Sequence, residues 1–323
     1  MPPAIVTLSY GEPVISPDTL ELRQCVLAVS VLHDIDVTPR DDGFALSLAG
    51  PTDLTWFRIL RLVGDRDPGG EVARGRIANW LRLRRAVLDG GAPLVERWSA
   101  EVRMVALPRE HADHPGLGWC RESFRGGVLE RGLGVRGALE DPDAVTTLYP
   151  DVFEGFAPDP EELATRWWTT ALEHAERMGA LAAARLRRDG TGHGVIRPVG
   201  GCDVLTLLTT SAVRRLLADS DHTGMRAVAV PMRTRGWFDL TRIDPAFTGA
   251  AWTATDPFAQ GLPRPLLITR DEVGMAREGG DPVREGLLED PPDVAPERTP
   301  TVDLRADGRP QRPASGITWR RKQ

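Results

Sequence analysis

Apolar residues recur at steps of three and four over Pro17–His33, and this spacing predicts an amphipathic helix with Asp18 near its start. Alternating apolar residues over Gly43–Leu48 instead predict a strand. The same two periods predict further helices at 52–62, 71–88, 203–218 and 244–254. They also predict strands at 4–9, 102–107, 195–199, 226–230 and 265–269, the last of which runs into residues 270–275.

The clearest single element is a long helix that begins at Asp159. Asp159 is a capping residue, Pro160 suits the first helical position, and Glu161-Glu162 face the positive end of the helix dipole. Apolar residues then recur every three or four positions as far as Leu186, and Gly190 follows the last turn. We therefore expect a helix of about thirty residues near 159–188, roughly 45 Å long.

Strands and helices alternate along the chain, which predicts a layered α/β fold, with a mixed α+β arrangement as the alternative. We expect an N-terminal lobe over residues 1–157 and a C-terminal lobe over 158–276, which could form one continuous domain. Residues 277–323 are rich in proline and carry an acidic half before a basic half, so we expect a disordered tail there. A tryptophan beside basic residues makes Trp319, Arg320 and Arg321 the predicted docking point for a protein partner.

Composition and charge narrow the classes of function. Lysines and arginines number 40 against 46 acidic residues, so we do not expect a nucleic-acid partner. The one lysine, Lys322, lies next to the C-terminal residue, which excludes lysine-dependent catalysis from residues 1–321. We expect neither a membrane span nor a secretory signal. Three widely separated cysteines favour reduced thiols and a cytoplasmic location.

A first candidate site, His111-Ala-Asp113-His114, follows the predicted strand 102–107. Two imidazoles and a carboxylate on one loop could bind a hydrolytic metal ion, which lowers the pKa of its bound water. The loop resembles part of the H-x-H-x-D-H motif of the metallo-β-lactamase family, but Arg109 stands in the place of the first histidine. We therefore do not assign the chain to that family. The alternative interpretation is a polar surface loop.

A second candidate is the turn Gly200-Gly201-Cys202-Asp203, between a predicted strand and a predicted helix. A helix start lowers the pKa of a thiol, so Cys202 could be a nucleophile with His193 as its base. The same turn could bind an anion through Gly200 and Gly201 without covalent chemistry. The alternative is a small buried cysteine beside a capping aspartate.

The third candidate, Arg233-Thr-Arg235-Gly-Trp237, places two guanidinium groups near an aromatic ring. In one strand Arg233 and Arg235 would share a face, which suits a phosphate, a carboxylate or a stacked base. The alternative is that these arginines form ordinary surface ion pairs.

No catalytic motif is complete, while the tail and the arginine-aromatic segment suit recognition. The sequence therefore predicts a cytoplasmic, non-catalytic binding or interaction protein, with a protein partner through the tail and a small anion as a possible ligand. It indicates no particular cofactor. Two alternatives stay open: a hydrolase that uses either the metal candidates or Cys202, and a sensor of anions or nucleotides.

Overall fold

A computed structural model of the protein describes residues 17–48, 51–64, 66–116, 119–155, 160–189, 194–239 and 242–275. The helices within these ranges are α1 (Pro17–Leu32), α2 (Trp56–Val63), α3 (Glu71–Glu101), α4 (Pro160–Arg188), α5 (Val204–Leu208), α6 (Ser211–Asp219) and α7 (Pro245–Thr253). The strands are β1 (Asp36–Arg40), β2 (Gly43–Ser47), β3 (Pro51–Thr55), β4 (Val102–Leu107), β5 (Arg121–Ser123), β6 (Glu130–Arg136), β7 (Val145–Thr147), β8 (Val195–Ile196), β9 (Arg226–Met232), β10 (Arg235–Trp237), β11 (Leu266–Ile268) and β12 (Val273–Met275).

The strands form three antiparallel sheets in the described part of the chain, which confirms the mixed α/β class. The first sheet has the order β1-β2-β3, the second joins β4, β6, β5 and β7, and the third has the order β12-β11-β9-β10-β8. By chain contacts, the described residues up to Met275 belong to one compact unit. The predicted tail over 277–323 and the predicted strand 4–9 lie outside the described residues. The lobe boundary near residue 158 stays a prediction.

The first sheet is a meander with one apolar face. Phe44 pairs with Leu54 across β2 and β3, and both side chains are buried. We had expected Thr52-Asp53 to begin a helix, but these residues belong to β3, and α2 begins only at Trp56. The cap is Thr55, whose hydroxyl accepts a hydrogen bond from the Arg58 N–H. Local patterning does not distinguish such a cap from one three residues earlier.

The long helix α3 supports both α1 and α2. Its sequence predicts an end at Gly90-Gly91, and the helix does break there, because Gly91 adopts a φ of 56° that favours glycine. The chain then resumes a helical path, with Pro93 close after the break, and continues to Glu101. Trp80 and Trp98 are buried on either side of this break.

The second sheet forms the centre of the fold. All six residues of β4 are buried, since the strand is packed against α4 and also contacts α5. The helix α4 matches the predicted long helix, and it also packs against α6 near the third sheet. The predicted helix over 203–218 is two helices, because the chain turns at Thr209-Thr210. Asp244 caps α7 as its sequence predicts.

Candidate functional site

Arg233 joins two of the predicted sites into one half-buried polar cluster. Its Nε atom lies 2.6 Å from Asp203 Oδ2, and its Nη1 atom lies 2.9 Å from Asp113 Oδ2. Asp203 also caps α5, where its other oxygen accepts a hydrogen bond from the Thr206 N–H at 2.8 Å. One arginine therefore connects the loop after β4 with the turn before α5.

The position of Arg233 follows from a hairpin that the sequence pattern did not reveal. Strand β9 ends at Met232 and β10 begins at Arg235, so Arg233 lies in the turn between them. The expectation that Arg233 and Arg235 share one strand face is therefore wrong. Arg233 points into the cluster, whereas the exposed Arg235 lies over the ring of Trp237 at 6.0 Å.

The charges of the cluster shift the pKa values of its members. Burial alone would lower the pKa of the Arg233 guanidinium, but Asp203 and Asp113 outweigh this effect and raise that pKa. Burial raises the pKa of the Asp113 carboxyl, and the charge of Arg233 offsets this only in part. Because two carboxylates already bind Arg233, its guanidinium is engaged within the protein rather than available to an external anion.

His111 has both ring nitrogens in hydrogen bonds with the backbone. Its Nε2–H donates to the Gln260 carbonyl at 2.8 Å, and its Nδ1 accepts from the Asp113 N–H at 2.9 Å. Since a carbonyl cannot donate, these partners require the neutral tautomer with the proton on Nε2. Burial and the nearby Arg233 charge lower the pKa of His111 to about 4, so the ring is neutral at pH 7.

His114 is held in the same tautomer by a different pair of groups. Its Nδ1 accepts from the Gly116 N–H at 3.1 Å, and its Nε2–H donates to Glu130 at 2.9 Å. The same Glu130 oxygen also pairs with the Arg121 guanidinium. Burial lowers the pKa of His114 more than Glu130 raises it. Burial would raise the pKa of Glu130, but the hydrogen bond from His114 and the charge of Arg121 lower it.

The three predicted metal ligands are thus used for contacts within the protein. In this arrangement neither His111 nor His114 has a free nitrogen lone pair, and Asp113 is paired with Arg233. Among the residues described, no group of three or more histidine, cysteine, aspartate or glutamate side chains is placed to hold a metal ion. The metal site stays a prediction from sequence, and the geometry gives it no support.

Cys202 follows the exposed turn of a tight hairpin, but its own side chain is fully buried and is not accessible at the helix start. Its backbone pairs with Val199 in both directions at 3.0 Å, around the turn of Gly200 and Gly201. Burial, with a contribution from Asp203, raises the pKa of the Cys202 thiol to about 12. A nucleophilic thiol needs the opposite shift. The predicted base, His193, lies outside the described residues.

The Gly200-Gly201 turn has positive φ angles of 58° and 83°, and it is exposed. The Gly200 carbonyl accepts a hydrogen bond from the His174 ring at 2.9 Å. The buried Arg103 lies beside Gly201, but it is already paired with Glu101 at 2.7 Å. Anion binding at this turn therefore stays a prediction.

Sequence reasoning missed an exposed apolar surface formed by α1 and α2. On α1, Leu20 is 50% exposed, and Val31 and Leu32 are each 79% exposed. On α2, Phe57 is 71% exposed and Leu60 is 54% exposed. We call these five side chains, together with the half-buried Leu27, the α1–α2 surface.

Both helices pack against α3, and one contact joins them directly. Arg23 in the second turn of α1 lies over the ring of Trp56, the first residue of α2, at 5.9 Å. Leu20 is one helical turn before Arg23, and Phe57 follows Trp56 in the chain, so exposed apolar residues flank this contact in both helices. One pattern in the sequence could have revealed this surface: α1 carries apolar residues on more than one side.

The predicted docking residues Trp319, Arg320 and Arg321 lie outside the described residues. Within the described ranges, no helix combines the length and the apolar character needed to cross a membrane. Comparison with known proteins gave no match to a family model, to a curated protein or to a solved structure.

Proposed function

We propose that this protein is a non-catalytic binding protein that recognises a partner through the α1–α2 surface. The observation that carries the proposal is the exposure of five large apolar side chains on two neighbouring helices. Water contact with apolar area is unfavourable, and each such side chain would gain about 1.5–3 kcal/mol on full burial. Contiguous exposed apolar patches in folded proteins mark sites of interaction.

The half-buried cluster around Arg233 supports a role in recognition over a role in catalysis. Arg233 forms ion pairs with both Asp113 and Asp203. The imidazoles of His111 and His114 are neutral and hydrogen-bonded. A catalytic acid or base needs a group that can reach the substrate and exchange a proton near neutral pH. The geometry instead favours a structural role for this cluster, in which it holds the loop after β4 against the third sheet.

Co-purification from the native host tests the proposal. We expect the wild-type protein to elute as a complex larger than one chain, and the double change Phe57→Ser and Leu60→Ser to remove the partner from it. Leu181→Ser is the matched control, because Leu181 is 49% exposed on α4 and removing it should leave the partner bound. Circular dichroism should be unchanged in both variants, since all three positions are exposed.

A protein that elutes alone and turns over a substrate would contradict the proposal. Loss of the partner in Leu181→Ser as well would show that the α1–α2 surface is not the binding site. The docking role of Trp319, Arg320 and Arg321 is a separate proposal, which the change Trp319→Ala tests in the same assay.

A further inference from the structure

The helix α1 carries apolar side chains on opposite sides. Leu22, Val26 and Val29 are buried, and α1 contacts α3. The opposite side carries Leu20 and Val31, which are exposed. A helix with apolar residues on two opposite sides can be covered on both of them. The described residues cover only one side of α1, so the other side is suited to a partner.

The outward residues of α1 form a regular seam. Leu20, Gln24, Leu27 and Val31 follow one another at steps of four, three and four, which is the spacing of a coiled-coil seam. This order of steps is the same when it is read in either direction. In an antiparallel pair of these helices, each seam position of one helix therefore lies opposite a seam position of the other.

We infer that the α1–α2 surface binds a second copy of this chain about a two-fold axis, with the two α1 helices antiparallel. This inference rests on the proposed function, because it names the partner of the same surface. A two-fold interface uses one patch on both copies, so the patch must be complementary to itself. The symmetric seam satisfies that requirement, whereas an unrelated partner would not need it.

The seam sets the register of the pair. Leu20 lies opposite Val31 of the second copy, and Gln24 lies opposite Leu27 of the second copy. The two Gln24 side chains flank the two-fold axis, about 4.5 Å apart along the helices. A polar seam residue can select a register, because only this register brings the two Gln24 side chains close enough to hydrogen-bond to each other across the axis. Antiparallel helices also place opposite dipole ends beside each other.

The apolar area of the surface suits a dimer of ordinary size. Burial of an aromatic side chain removes about 200 Å² from water and that of an aliphatic one about 100 Å². With the exposed fractions above, the five side chains present about 400 Å² per copy. A standard interface buries about 800 Å² per partner, of which roughly 450 Å² is apolar.

Sedimentation equilibrium of the full chain tests self-association. We expect a dimer for the wild type, and a dissociation constant raised at least ~100-fold in Val31→Arg, which places a charge opposite Leu20 at two symmetric points. Leu181→Arg makes a comparable change on α4 and should leave the dimer intact. A wild-type protein that stays monomeric at about 100 µM overturns the inference, as does an equal loss in both variants.

Disulfide formation tests the antiparallel register. The native cysteines are all buried, so an introduced thiol is the reactive one. The double variant Leu20→Cys and Val31→Cys should form covalent dimers on mild oxidation. Each single variant should not, because equivalent positions lie about 16 Å apart along the helices and a disulfide requires Cα atoms within about 7 Å.

The two proposals can fail separately. Covalent dimers in the single variants would indicate parallel helices and overturn the register. A monomeric wild type whose other partner is lost on changing Phe57 and Leu60 would overturn self-association and leave the proposed function standing. A monomer with no such partner would overturn both.

Discussion

The buried, neutral His111 predicts a specific loss of stability in acid. The pKa of His111 is lowered from 6.5 to about 4 in the folded protein, whereas the unfolded chain titrates near 6.5. As the pH falls below 6.5, His111 binds a proton in the unfolded state but not in the folded state, where its pKa is lower. The stabilisation is therefore present above pH 6.5 and is lost as the pH falls toward 4. At about pH 4.5 the loss amounts to roughly 2.5 kcal/mol.

The variant His111→Gln removes this titration. Glutamine retains an N–H group that can reach the Gln260 carbonyl, but it loses the acceptor for the Asp113 N–H. We expect it to be destabilised by about 1–3 kcal/mol at neutral pH, because a buried backbone donor loses its partner. Between about pH 7.5 and 4.5, the free energy of unfolding of this variant should fall by roughly 2.5 kcal/mol less than that of the wild type.

Urea unfolding followed by tryptophan fluorescence at the two pH values measures both quantities. His222→Gln is the comparison variant, since the His222 side chain is 93% exposed and its 3.4 Å contact with Asp221 lies on the surface, where removing an ion pair has a small effect. Other groups titrate in all three proteins, so they cancel in the comparison. Equal losses in the wild type and His111→Gln would refute the assignment of a buried neutral imidazole.

Three further predictions follow from close contacts in the fold. Arg233→Ala leaves two half-buried carboxylates without their cation and should lower the free energy of unfolding by about 1.5–3 kcal/mol, while the exposed Arg235→Ala should change it by less than about 0.5 kcal/mol in the same urea titration. Gly179→Ala would place a Cβ atom 2.1 Å from the Thr210 hydroxyl oxygen between α4 and α6, so thermal unfolding should show a loss of about 1–3 kcal/mol. Cys202 should react with iodoacetamide at neutral pH only as fast as the protein unfolds, and rapid labelling of the folded protein would contradict its raised pKa.

Elements whose ends are marked by local chemistry were predictable. The spacing of apolar residues and the prolines at Pro160 and Pro245 located α4 and α7, because capping and helical period act over neighbouring residues. The short strands β5 and β7 were not predictable. Each has three residues, too few for a period to be recognised, and each exists because it pairs with β6.

The partners of the candidate side chains could not be read from the sequence. Arg233 binds Asp113 and Asp203, which lie 120 and 30 residues away in the sequence. The choice between a free arginine, a metal ligand and a buried ion pair depends on these distances in space. Sequence spacing carries no information about them.

The sequence by itself determined the mixed α/β class, the long helix α4 and the exclusion of lysine chemistry from residues 1–321. Only the tertiary structure decided that Cys202 is buried, that His111 is neutral, and that one side of α1 faces solvent. The physical reason is that helical period and capping depend on adjacent residues. Burial, pKa and exposure depend instead on what distant parts of the chain bring into contact.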